Sequence, residues 1–244
     1  MMKKSMNIIF LTVCFCLCMS VVCSARAGGG GSGGGGSSGG GAGHHSYNTA
    51  DGNSTSNSIR TIIWDIGTLF IIGGGSLIFF YKVQKAHYKS KQLIKSYEKL
   101  EMNWDYKEMQ TYIEDAYFKI QECWRRQDVD YAKDYLSESL QKSWKAKLAW
   151  MQMREEVEVQ NHVQLLSARP VKVVNPEGTE HDEVWYLIHG KMQDYRIKKT
   201  TGEFLEGNRK PVAFYEYWRF IYFENHWVLD EIFQKEDINI DDLT

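Results

Sequence analysis

The chain reads as an α+β protein: helices first, then antiparallel strands. Residues 105–151 place apolar side chains every three or four positions, the spacing of helices with one buried face. Residues 163–232 switch to β-branched and aromatic residues broken by turn signals, the chemistry of strands. A run of helices followed by a run of strands points to helices packed on a mainly four-stranded antiparallel sheet. Two apolar stretches precede both parts, so this domain is expected to follow membrane-directed elements.

Lys3 and Lys4, the apolar run Ile8 to Val22 and the ending Ala25-Arg26-Ala27 have the layout of a secretory signal peptide, residues 1–27. Residues 28–58 hold over half of the 21 glycines with serine and asparagine, which cannot bury enough apolar surface to offset ordering, and predict a disordered segment. The stretch 59–81, apolar from Ile62 to Tyr81 with Asp65 as its one charge, is long enough to cross a bilayer as a helix. Its Gly73-Gly74-Gly75 would permit close pairing with a second helix, so an oligomer through this segment is one option.

The stem, residues 82–103, carries Lys82, Lys85, Lys89, Lys91, Lys95 and Lys99. By the positive-inside rule this side faces the cytoplasm, giving a single-pass protein of the cell membrane with its N-terminus outside. Lys82, Lys85 and Lys89 are the candidates for anionic lipid, because seven helical residues rise only about 10 Å. The stem is expected to be helical with Val83, Leu93, Tyr97 and Leu100 as its apolar residues.

Asp105-Tyr-Lys-Glu108 has capping-box spacing, and Met109, Ile113, Ala116, Ile120 and Cys123/Trp124 form the buried stripe of the helix it opens. Asp128 or Asp130 opens a short helix through Tyr135, and Ser137 the next, with Leu140, Trp144, Leu148 and Met151 in one stripe. Strands follow at 163–174 and 182–197, where Pro170 demands an edge strand or a bulge in the first. Thr200 to Pro211 reads as a polar loop. Val212 to Ile232 is an aromatic hairpin turning at Glu224-Asn225, where Asn tolerates positive φ. Alternation puts Phe214, Glu216, Trp218, Phe220 and Tyr222 on one face, expected inward by bulk, and Tyr215, Tyr217, Arg219, Ile221 and Phe223 on the other.

Glu216, Tyr217, Trp218, Phe220, Trp227, Leu229 and Ile232, together with the segment Phe118–Leu140, resemble the Tim44-like family over residues 104–235. That family is named for the scaffold subunit of the mitochondrial inner-membrane import motor and has bacterial members. The resemblance implies a strongly curved sheet wrapped by helices, a cone like that of nuclear transport factor two, with an apolar cavity. It also implies a non-enzymatic domain that holds lipid, translocation machinery or ribosomes at membranes. Residues 236–244 remain as an acidic tail.

Charge narrows the partners. Residues 1–102 hold ten Lys/Arg and four Asp/Glu of totals 29 and 31, so the rest carries about −8. That argues against nucleic acid and leaves membrane lipids and an unidentified protein as partners. Four of the five cysteines lie in the first apolar run, and Cys123 beside Trp124 reads as a buried thiol. No nucleophile elbow, phosphate loop, zinc spacing or dinucleotide fingerprint occurs, so no cofactor or metal is expected. Tyr186, Phe214, Glu216, Trp218 and Phe220 are the candidates to line a cavity. The alternative is a small-molecule enzyme or ligand carrier in which Glu216, with its pKa raised by an apolar cavity, acts as acid or base. The plainer reading pairs Glu216 with an Arg, His or Tyr, or sets it at the cavity mouth.

Overall fold

The aromatic hairpin organises the molecule, and its turn is built as the residues require: Glu224 and Asn225 have φ of 48° and 67°, the left-handed pair of a tight two-residue connection. The computed structural model describes residues 77–100, 102–176 and 181–243. The expected signal peptide and Gly/Ser-rich segment lie outside them, as does the transmembrane segment except for its last residues, 77–81. Among the described residues no helix is long and apolar enough to cross a membrane.

Strands β1 (Glu156–Val174), β2 (Glu183–Lys198), β3 (Phe204–Phe223) and β4 (His226–Gln234) form one antiparallel sheet in the order β1-β2-β3-β4. Pro170 lies on the edge strand beside a register shift at Pro170/Lys172, the two settings that tolerate its missing N–H. Two strand limits differ from the sequence reading. β1 starts at Glu156 rather than 163, because Glu156-Val-Glu-Val-Gln160 continues the pairing with Asp194 to Lys198. The expected loop 200–211 is mostly strand: Gly207 takes φ 100° opposite Tyr195, and a Cβ there would lie 2.6 Å from the Tyr195 Cα.

Three helices cover the sheet: α1 over 77–97, α2 (Tyr106–Arg126) and α3 (Glu138–Met153), with a 3₁₀ segment Val129–Tyr135 between the last two. α2, the 3₁₀ segment and α3 start at the expected caps. Asp105 accepts from the Glu108 N–H at 2.8 Å, Asp128 from Asp130 at 3.1 Å, and Ser137 from Leu140 at 3.2 Å. Met109, Ile113, Ala116, Ile120, Cys123 and Trp124 of α2 and Trp144, Leu148 and Met151 of α3 are buried in one core with Tyr186, Trp218 and Phe220. Burial pushes the Cys123 thiol up to about 12, which leaves it an inert core group.

Of the stem's expected apolar residues, Val83 is buried and Tyr97 packs against the core. Val83, Ala86, Ser90 and Ile94 point inward, while Leu100 is exposed. Val83 and Ala86 join Trp185, Leu187 and Tyr217 on the outer face of the sheet, and Ile240 and Leu243 of the C-terminal tail complete that cluster. Tyr217 is therefore fully buried. Arg219, on the same face, is half-buried and held by Asp230, by Glu231 at 2.9 Å and by Glu183 at 3.7 Å. The face opposite Trp218 is thus a second, smaller core wherever α1 covers it.

Candidate functional site

The inner face of the sheet, under α2 and α3, changes character along its length. At the hairpin end Val184, Tyr186, Trp218, Phe220 and Leu229 are buried and apolar. Glu216 lies midway, opposite Ile188 and Gln234, with 1 % of its surface exposed. One of its oxygens accepts from Trp218 Nε1 at 3.1 Å and the other from Gln234 Nε2 at 3.2 Å. It is a carboxyl fixed inside the core by two neutral donors. Tyr186 is also fully buried, and burial raises the pKa of its hydroxyl. Phe214 borders a pocket of about 270 Å³ with Met192, Asp194, Asn208, Gln234 and Lys235. Tyr186, Trp218 and Phe220 are packed core around it rather than pocket wall.

Beyond that pocket the same face turns polar, on rungs the sequence reading had not singled out. Glu158 pairs across to Arg196, which pairs to Glu206; Gln160 pairs to Asp194, which pairs to Asn208. Arg196 Nη1 lies 2.9 Å from Glu206 and 3.5 Å from Glu156, and its Nε lies 3.7 Å from Glu158. Glu158 and Gln160 are 2 % and 1 % exposed, and neither end of the Gln160 amide finds a hydrogen-bond partner. Burial, then the hydrogen bond and charge of Asp194, push the Glu158 carboxyl far above its usual range, against the pull of Arg196 and Lys147. Burial likewise lowers the pKa of Lys147, which sits 4.7 Å over the Trp124 ring. The period-two run Glu156-Val-Glu-Val-Gln160 was the signal available; the convention of apolar-in, polar-out reads it the wrong way round. Such a cluster can hold a proton or a polar ligand. Among the described residues no group of three or more His, Cys, Asp or Glu is placed to hold a metal ion.

The capped helices and this antiparallel meander agree with a comparison of the sequence with known families, in which the Tim44-like domain matches residues 90–232, more than half of the chain. The chain belongs to the Tim44-like domain family. No curated protein matches the sequence. Among solved structures, the crystal structure of the intermembrane space region of the chloroplast protein ARC6 matches with 10 % identity, a TM-score of 0.36, and coverage of 52 % of this chain and 97 % of that one.

The Tim44-like domain engages some of the lysines expected to meet lipid. Lys82 donates to Asp241 of the tail at 2.6 Å, whereas Lys85 and Lys89 lie on the exposed side of α1. At the other end of α1 a groove of about 320 Å³ opens between α2 and the hairpin turn. Met109, Tyr112, Tyr222 and Trp227 form its apolar floor, and Asp105 and Glu108 its acidic rim. The Trp227 indole donates to the Asn103 carbonyl at 3.1 Å and packs edge-on against Trp104, so the floor is rigid.

Proposed function

We propose that this chain is a membrane-anchored, non-enzymatic scaffold of the Tim44-like kind that holds a partner protein segment close to a membrane, as in translocation or membrane-associated assembly. Family membership supports a scaffold or translocation-associated role. The observation that carries the finer reading is α1. It continues directly from the apolar stretch Ile62 to Tyr81, and its Val83, Ala86 and Ile94 are locked into the domain. The stem that follows the apolar stretch is thereby fixed to the domain. The signal-peptide pattern and the six stem lysines favour the cytoplasmic side for the domain.

In this reading the groove beside Trp227 receives the partner. It lies at the end of α1 away from the apolar stretch, about 30 Å along the helix from residue 77. An apolar floor with an acidic rim suits a segment that carries both apolar and basic side chains. A catalytic role for Glu216 draws no support from a carboxyl whose two oxygens already accept bonds within the core.

Site-specific photo-crosslinking tests this in membranes of the native host. A crosslinker at Tyr222 should give a discrete protein adduct that a crosslinker at exposed Trp150 of α3 does not. Glu108→Lys should abolish that adduct. The same adducts from both positions, or none from Tyr222, would overturn the assignment.

A further inference from the structure

We propose that the pocket between the end of β4 and the bulged part of β3 binds a small organic amine, its ammonium on Asp194 and its hydrocarbon against Met192, Val212 and Phe214. The inference goes beyond the scaffold reading and does not depend on it, since neither a membrane nor a partner protein enters the site.

The pocket arises from a misfit in the sheet. Asp194 pairs with Asn208 and Met192 with Val212, so Gln193 faces three residues, Arg209 to Pro211. Pro211 has no N–H to give the ladder, and the extra length bends β3 at this point. Gln193 ties the bend down, its Nε2 donating to the Arg209 carbonyl at 2.6 Å. β4 stops at Gln234, opposite Glu216, and the chain leaves in the 3₁₀ turn Lys235–Asp237. β3 therefore runs on past its last β4 partner, and the pocket lies in that step. Met192, Asp194 and Phe214 are its buried residues, with Val212 and Glu236 at the exposed rim. Its volume of about 270 Å³ falls at the lower end of small-molecule sites, which span about 300–1,000 Å³. That size suits a single ring or a short chain.

The polar groups select a cation. The lining contains two carboxylates, Asp194 and Glu236, and one cation, Lys235. The Lys235 ammonium is turned to the outer face, 4.3 Å from the Phe79 ring centroid and 5.9 Å from that of Tyr215. Arg196 is held by Glu206 and Glu156, and Lys147 sits over Trp124. Burial and the hydrogen bond to Asp194 keep a proton on Glu158, so the negative charge of that pair falls on Asp194. A second observation points the same way. Gln160, Asp194 and Asn208 form one rung across three strands, and Gln160 is 1 % exposed with no partner in the protein for either end of its amide. A buried amide left in that condition is costly, and a polar ligand beside Asp194 relieves it. A primary ammonium carries three donors. The carboxylate of Asp194 and the carbonyl oxygens of Asn208 and Gln160 are three acceptors on that one rung. The apolar walls then accept the rest of the molecule.

The test is equilibrium dialysis of the full chain in detergent micelles, with protein-free micelles as the blank. Phenethylamine, 2-phenylethanol and phenylacetate share a ring and differ in charge. Phenethylamine should bind saturably, the alcohol far more weakly and phenylacetate not at all. Asp194→Asn should weaken the amine about tenfold or more, the loss of a hydrogen bond to a charged group. Val212→Trp fills the pocket from its rim, and should abolish amine binding while the protein melts as wild type does. Amine should raise the melting temperature of wild type and leave that of Val212→Trp unchanged, a readout that stands even where Asp194→Asn does not fold. Equal uptake of the three compounds, no saturable uptake of the amine, or undiminished uptake by Val212→Trp overturns the proposal. Tighter binding of Nα-acetyl-lysine amide than of phenethylamine also overturns it, and would give the pocket to a lysine side chain of a partner.

Discussion

The two ends of the sheet's inner face differ as an ordinary core differs from a strained one. At the hairpin end Tyr186, Trp218 and Phe220 are fully buried and pack ring against ring, with Trp218 5.6 Å from Tyr117 and 6.2 Å from Phe220. At the other end Glu158, Gln160 and Asp194 are buried almost as deeply. There the Gln160 amide is left without partners, and a carboxyl must keep its proton. Burial of the first kind stabilises, while burial of the second kind costs free energy unless every polar atom is satisfied. The domain places its stability where the aromatic hairpin lies. The polar end is the part whose arrangement stability alone does not account for.

Variants at each end can break this contrast. Trp218→Ala should be the most damaging, at about 3–5 kcal/mol, because it opens a large hole under α2. Urea melts followed by fluorescence would read it. A loss below 1 kcal/mol would mean that the hairpin end is no better packed than the polar end.

Glu158→Gln should act in the opposite direction and depend on pH. The folded pKa of Glu158 lies above its value in the unfolded chain, so the folded state holds a proton the unfolded state releases. Stability contributed by the group is fully present below the ordinary carboxyl range and is lost as pH rises toward the folded value. The slope is about 1.4 kcal/mol per pH unit for one proton. Wild-type melting temperature should therefore fall between about pH 6 and 8, and Glu158→Gln should flatten the fall and melt higher at the upper end. Parallel pH profiles for the two proteins would show that Glu158 is ionised in the fold.

Gly190→Ala probes the boundary between the two ends. A Cβ at Gly190 would meet the Phe214 ring and lie 2.6 Å from the Tyr117 hydroxyl, both set in the core. Overpacking of that kind costs about 1–3 kcal/mol. A neutral result would show that Phe214 swings freely into the adjoining pocket.

The smallest effect concerns the strap over the outer face. Asp241→Ala removes the Lys82 ion pair, but both side chains are substantially exposed, so the loss should stay under about 1 kcal/mol. Chemical denaturation of the full chain would register it. A loss several times larger would make the tail's charge, rather than buried Ile240 and Leu243, what holds it to the sheet.

Much of this architecture was legible because local rules governed it. Asp105, Asp128 and Ser137 cap where their side chains reach the first free N–H groups, and the α2 stripe recurs at the period of its helix. The inward face of β3 followed from the bulk of Phe214, Trp218 and Phe220, and Glu216 went inward with them. What it would meet there was not legible, since Gln234 reaches it only through the β3–β4 register.

By itself, then, the sequence determined the α+β class, the helix starts, the hairpin turn and the strand face that Glu216 shares with Trp218, because each depends on residues a few positions apart or on strict alternation. Only the tertiary structure decided which side of each strand was left for water. α1 and the tail come from opposite ends of the described chain to bury Tyr217, and no local pattern announces that a second layer will arrive. α3 covers Glu158 and Gln160 in the same way, turning a run that alternates like a solvated strand into a polar interior. Alternation states that two faces differ; packing between distant segments determines which of them is covered.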